Sequence, residues 1–252
     1  MIPAFWYVSS NFGDALAPWL VERIAGKRCV YVPQVEPAPK FLVTGSILGE
    51  AKNEHCICWG VGFGSMTDSC HVYADIRAVR GPISQARALI CGAKCPPVYG
   101  DPAVLLPRLY TPPTPARRYR LGIVPHFVDH AQAYGVYETS PDVLVVDILK
   151  PIEQVIDAIT SCDAVVSSSL HGLIVAVAYG IRNRWIRFGP GVSGDGMKFH
   201  DFHLSVGIAP YAPLDGASVA PPVDALIAAC QPTAPPSPAM LDALWAACPF
   251  RA

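Results

Sequence analysis

Val165-Val-Ser-Ser-Ser-Leu-His-Gly-Leu-Ile174 is the stretch whose reading decides the fold. Ala164 to Val166 is short, apolar and rich in valine, as a buried strand should be. Three serines follow. Leu173 to Tyr179 then reads as a helix that stops at Gly180. A strand, a small-residue turn and a helix make the repeating unit of a parallel α/β sheet. The turn brings hydroxyls, unpaired backbone N–H groups and the positive end of a helix dipole to one place, which suits an anion. Ser168, Ser169 and Gly172 are therefore candidate contacts for a negatively charged ligand. His171 stands in the first turn, where an imidazole can add charge or supply a proton. The competing reading is that the serines cap the helix and His171 hydrogen-bonds in the core.

The same unit recurs on both sides. Downstream, Trp185 to Phe188 reads as a strand, and the Gly-rich run Gly189 to Lys198 as a loop able to bring Lys198 to an anion. Upstream, Ile152, Val155, Ile156 and Ile159 mark a helix opened by Pro151. Val143 to Ile148 is a strand, and Leu121 to Val124 is another, ending in Pro125-His126. His126 is placed in a cleft and His130 outside it. In the first half, Phe5 to Val8, Phe41 to Thr44, Ile57 to Gly60 and Asp75 to Val79 are strands. A helix follows Asn11-Phe-Gly-Asp14 and ends near Ile24, with Gly26 as its stop; Pro18 leaves its start open. Ser84 to Leu89 is a short helix.

Four prolines between Pro107 and Pro115 stiffen a spacer and cannot lie inside a helix or a central strand. The expected organisation is a Rossmann-like domain over 1–110, a linker over 111–118 and a second Rossmann-like domain over 119–208. A Pro/Ala-rich tail over 209–252 carries a closing helix from Ser237-Pro238. The fold class is α/β, with two mainly parallel sheets facing a cleft. Ligands in such sheets bind beyond the carboxyl ends of the strands.

Of the 252 residues, 15% are charged, against about 25% in typical chains. The 19 basic and 20 acidic side chains nearly cancel, which argues against a nucleic-acid partner. Nine scattered cysteines fit a reducing, cytoplasmic setting better than a disulfide scaffold. The Cys56-Ile-Cys58 and Cys91–Cys95 spacings do not suit zinc, and no metal is expected. Gly60-Val-Gly-Phe-Gly64 misses the dinucleotide spacing, so no nicotinamide cofactor is expected either. No signal peptide and no membrane span are read from the sequence.

Three more positions carry chemistry. Gly13 allows close backbone approach to a ligand. Asp14 can take a proton from a hydroxyl or cap its helix. Arg80, at a strand end before Gly81-Pro82, can grip a carboxylate or phosphate bidentately.

Taken in order, Asn11-Phe-Gly-Asp14, Thr44-Gly-Ser46, Trp59-Gly-Val-Gly62, Val79-Arg-Gly-Pro82, Gly100-Asp-Pro102, Gly122-Ile-Val-Pro-His126, Ser167-Ser-Ser-Leu-His-Gly172, Ala178-Tyr-Gly-Ile181 and Lys198-Phe199 make the chain similar to the polysaccharide pyruvyltransferase family. It resembles the short bacterial ketal pyruvyltransferases of exopolysaccharide synthesis, of the xanthan type. The resemblance implies a fold like that of B-type glycosyltransferases. It also implies phosphoenolpyruvate as donor and a pair of sugar hydroxyls as acceptor, on a saccharide that can be lipid-linked at the inner membrane face. His171, Arg80 and Lys198 would hold the donor, with His171 as acid. Asp14 or His126 would be the base, and Asn11, Gly13, Gly45 and Ser46 would meet the acceptor. Val177 stands where the subgroup has histidine, and Arg182 where it has proline. A nucleotide-sugar glycosyltransferase and a non-catalytic sugar- or phosphate-binding module are the alternatives. Trp245 and Phe250 are a faint hint of membrane contact, which core packing explains equally.

Overall fold

The computed structural model describes residues 1–116, 118–217 and 220–251. Two five-stranded, all-parallel sheets follow one another along the chain. The first is built from β1 (Ile2–Phe5), β2 (Cys29–Tyr31), β3 (Lys40–Val43), β4 (Cys56–Val61) and β5 (Asp75–Val79), in the order β2-β1-β3-β4-β5. The second is built from β6 (Leu121–Val124), β7 (Val143–Val145), β8 (Ala164–Ser167), β9 (Arg182–Arg187) and β10 (Leu214–Asp215), in the order β10-β9-β8-β6-β7. Read from its own first strand, each sheet has the doubly wound order 2-1-3-4-5. These are two Rossmann-like domains. The crevice that binds ligands in this order opens where the strand order reverses, between the first and third strands. Here that means between β1 and β3, and between β6 and β8.

The helices are α1 (Phe12–Ala25), α2 (Pro82–Ile90), α3 (Leu106–Leu109), α4 (His130–Tyr137), α5 (Ile152–Thr160), α6 (Leu170–Ala178), α7 (Met197–Ser205), α8 (Val223–Ala229) and α9 (Pro238–Ala246). A shared core fills the space between the sheets. Phe12, Leu16, Leu20 and Trp59 of the first half meet Ile156, Leu173, Val177 and Phe202 of the second there. Smaller cores cover the outer faces. Helix α7 packs on α2 across the halves. Helix α9 returns to the first sheet, where Trp59 Nε1 donates to the Leu244 carbonyl at 2.9 Å. Phe250 is 7% exposed and stacks edge-on against Trp59 and Phe41, and Trp245 packs against the shared core. Core packing therefore accounts for both aromatics. No helix among the described residues is long and apolar enough to cross a membrane.

Several expected boundaries shift. The first strand is Ile2–Phe5 rather than Phe5 to Val8: Pro3 is accommodated inside it, and Tyr7 and Val8 stand exposed beyond the sheet. Helix α1 begins at Phe12 and holds Pro18 in its interior; Gly26 ends it in a left-handed conformation. Pro107 belongs to the short helix α3, so the irregular connection starts at Tyr110. Arg117 of the expected linker, and Ser218, Val219 and Ala252 of the tail, lie outside the described residues. Met197–Ser205 is helical, so Lys198 sits in a helix's first turn and not in a loop.

Candidate active site

Both switch points open into one cavity of about 530 Å³. The first half contributes Tyr7, Asn11 and Asp14 after β1, Gly45 and Ser46 after β3, and Asp68 after β4. The second contributes His126 after β6, Ser169 and His171 after β8, and Lys198 from α7.

His171 is held from two sides. Gly13 of α1 passes so close that a Cβ there would lie 2.3 Å from the imidazole Nδ1. Only glycine leaves that room. On the other edge, Nε2 is 3.4 Å from the Thr44 hydroxyl and 3.7 Å from the Asp101 carboxylate. Asp101 is fully buried. It accepts from the Thr44 hydroxyl, from the Gly45 N–H at 3.0 Å and from the Ala103 N–H at 3.0 Å. Thr44 has φ 60, a costly conformation for a β-branched residue. The Asp101 bond holds it there, which is strain placed where a site is assembled. Burial pushes the His171 pKa down, opposed by Asp101 and Asp14. Burial thus favours the uncharged ring, and the Asp101 carboxylate beside it favours the cation.

The serines divide their roles. Ser167 Oγ donates to the Val124 carbonyl, and Ser168 Oγ donates to Asp129 at 2.6 Å while accepting from the His126 N–H. Both are buried and knit β8 to the loop after β6. Ser169 alone reaches the cavity, and none makes a side-chain cap bond to α6. Gly172 does not line the cavity. It lets Ser167 and Val124 pack on α6, where a Cβ would meet Ser167 Oγ at 2.4 Å. Ser168 and Gly172, expected as ligand contacts, are therefore structural supports.

Arg80 is also displaced from its expected role. It is fully buried behind the cavity. Its guanidinium donates to Asp201 at 3.0 Å, to Ser46 Oγ at 2.8 Å and to the Phe63 carbonyl at 2.7 Å. Asp201, on α7, also accepts from the Ile83 and Ser84 N–H groups and the Ser84 hydroxyl. Gly81 allows this approach, since a Cβ there would sit 2.0 Å from the Asp201 carbonyl oxygen. With all its nitrogens engaged, Arg80 positions Ser46 and α7 instead of gripping a ligand.

Lys198 is the cation that faces the cavity. Nζ donates to the Ser193 carbonyl at 3.0 Å and forms no ion pair among the described residues. Burial, and then Arg80, lower its pKa to about 8. His126 is half-buried, and burial together with Lys198 lowers its pKa. Asp14 accepts from Ser9 Oγ at 2.7 Å and from Asn11 Nδ2 at 3.0 Å, so it organises its loop and does not cap α1. Gly45 and Ser46 line the opposite wall. Asp101 and Thr44, which the structure sets beside His171, were not singled out by site reasoning from sequence, although both stand inside quoted motifs. Cys56 and Cys58 are buried within β4, and among the described residues no group of His, Cys, Asp and Glu could hold a metal ion.

Residues 11–188 match the family described as polysaccharide pyruvyl transferase. The chain is 29% identical over 207 residues to uncharacterized protein L143 of Acanthamoeba polyphaga mimivirus, covering 79% of this chain and 71% of that one. It is 28% identical over 216 residues to succinoglycan biosynthesis protein ExoV of Rhizobium meliloti (strain 1021), covering 82% of this chain and 66% of that one. No solved structure matches the chain.

Proposed function

The chain belongs to the polysaccharide pyruvyl transferase family, and on that premise we propose that it transfers the pyruvyl group of phosphoenolpyruvate to two hydroxyls of a saccharide, forming a ketal and releasing phosphate. The observation that carries this reading is the pairing, in one cavity, of an Asp101-backed His171 with Lys198, a cation without an ion pair among the described residues. Phosphoenolpyruvate carries a phosphate and a carboxylate. Lys198, the Ser169 turn and the N-terminus of α6 supply the positive end it needs.

The chemistry balances on these groups. His171, protonated once the anionic donor is bound, gives its proton to the methylene carbon, and positive charge develops at C2. One sugar hydroxyl attacks C2 and loses its proton to Asp14 or His126. The C–O bond to phosphate breaks, and the proton taken up by that base passes to the leaving phosphate. A neighbouring hydroxyl closes the ring and loses the second proton, which restores the acid. Fixed charges that meet the changing charge are the main catalytic resource here. Asn11, Gly13, Gly45 and Ser46 form the acceptor side. Work at a lipid-linked acceptor, on the cytoplasmic face of a membrane, belongs to the same reading.

The test is release of inorganic phosphate from phosphoenolpyruvate with a panel of β-linked glucosides, galactosides and mannosides. Acceptor-dependent phosphate together with a pyruvate ketal in the product supports the reading. Absence of both with every acceptor, while UDP but not phosphoenolpyruvate raises the melting temperature, overturns it.

A further inference from the structure

The reaction cavity does not end at Tyr7. Past Tyr7, Ser46 and Asp68 it continues into a second hollow of about 380 Å³, walled by Glu50, Lys52, Thr67 and Ser69. Tyr7 is 48% exposed. Phe5 stands edge-on to its ring at 5.6 Å, and its hydroxyl donates to Glu50 at 3.0 Å. The ring is thus both open and fixed. Asp68 is fixed as well: its carboxylate accepts from the Gly64 and Ser65 N–H groups at 2.9 and 3.0 Å, and its carbonyl from Arg87 Nε at 2.7 Å. Lone pairs remain on Asp68 and Glu50 for further donors.

Charge sorts the two ends. Lys198 and the α6 N-terminus make one end positive. Asp14, Glu50 and Asp68 surround Tyr7 at the other, and Lys52, 3.9 Å from Glu50, is the lone cation in that hollow. Burial and these carboxylates push the Tyr7 phenol up to about 12. An anionic donor is repelled from this end. A ring face beside held carboxylates suits a neutral polyhydroxyl ligand, whose C–H face packs on the ring and whose hydroxyls donate to the acids.

We propose that the Tyr7–Glu50–Asp68 hollow is a subsite for a second, neutral sugar, the neighbour of the residue that reacts in the main cavity. The proposal rests on the pyruvyl-transfer reading for its place in the reaction, and the acceptor is then at least a disaccharide. Tyr7 sets acceptor length through its ring, while Glu50 and Asp68 set the charge class.

The test compares methyl β-hexosides with the matching methyl β-disaccharides, and with analogues whose second sugar is a uronate. Wild-type protein, Tyr7→Ala and Tyr7→Phe are each assayed for phosphate release. Binding of the same glycans is measured by calorimetry without phosphoenolpyruvate. The neutral disaccharide should exceed the hexoside in kcat/KM by about tenfold, mainly through KM, the gain expected from covering one aromatic face. Tyr7→Ala should remove that ratio, Tyr7→Phe should keep it, and the uronate analogue should not show it. Equal kcat/KM for hexoside and disaccharide, or a ratio that survives Tyr7→Ala, overturns the subsite and leaves pyruvyl transfer standing. Ring-dependent disaccharide binding without any phosphate release supports the subsite and overturns the transfer reading instead.

Discussion

Arg80 and Asp201 form a completely buried ion pair, Nε to Oδ2 3.0 Å, that joins the end of β5 to α7 of the other half. The same carboxylate holds the first N–H groups of α2. Removing one partner of such a pair leaves an uncompensated charge in the core. Asp201→Ala should lower stability by about 3–5 kcal/mol, read from the urea midpoint. Arg80→Lys should be destabilising as well, because an ammonium cannot serve Asp201, Ser46 and the Phe63 carbonyl together.

His171 and Asp101 are expected to separate by role. His171→Ala should lower kcat on the order of 10²-fold or more. Asp101→Asn should lower it on the order of 10²-fold by loosening the ring, and should also change its titration. The Asp101 charge raises the His171 pKa, and His171 must be protonated to act as acid, so loss of that charge should move the alkaline limb of the pH–rate profile to lower pH. An unmoved limb would assign Asp101 a purely structural part.

Lys198 predicts a pH dependence with a definite sign. Its pKa of about 8 lies below the ordinary 10.5, so the cation is present below pH 8 and lost above it. KM for phosphoenolpyruvate should rise by about tenfold per pH unit above 8, and Lys198→Met should flatten that limb. Stability runs the other way. Between about 8 and 10.5 the unfolded chain holds this proton and the folded chain does not, so this group's contribution to stability grows with pH. Subtracting the Lys198→Met melting curves from those of the parent isolates it.

Gly13→Ala should dissociate activity from stability. Alanine is the better helix former by about 1 kcal/mol, but its Cβ would press on His171 at 2.3 Å. A displaced imidazole should cost on the order of 10²-fold in kcat, with little change in melting temperature.

Strands such as Leu121–Val124 and Ala164–Ser167 were legible because they are buried on both faces and carry an apolar run; Leu121–Val124 and Asp75–Val79 fall where the sequence puts them, the latter with Asp75 and Arg77 turned toward solvent. Strand β2 has only three residues, too few for a pattern. Helix α7 buries Asp201 and His203 beside Phe199 and Phe202, which dilutes the apolar period that would announce it. At the site, His171 and Ser169 were legible from a strand end and a helix start, and Lys198 from the Gly-rich run before it, though as part of a loop rather than of α7; all three line the cavity. The place of Arg80 was not, because the partner that buries it lies 121 residues away. Asp101 sits in a Gly-Asp-Pro turn without periodicity, and its part emerges only when the turn is seen beneath His171.

Helices α7 and α9 are each rooted in one half of the chain and seated on the other. Both helices thereby tie one half to the other. The glycine-rich stretch that carries Ser193 and Gly194 runs along the cavity edge instead, outside that double tie. On the pyruvyl-transfer reading proposed above, donor and acceptor would meet between walls that share the same two cross-braces.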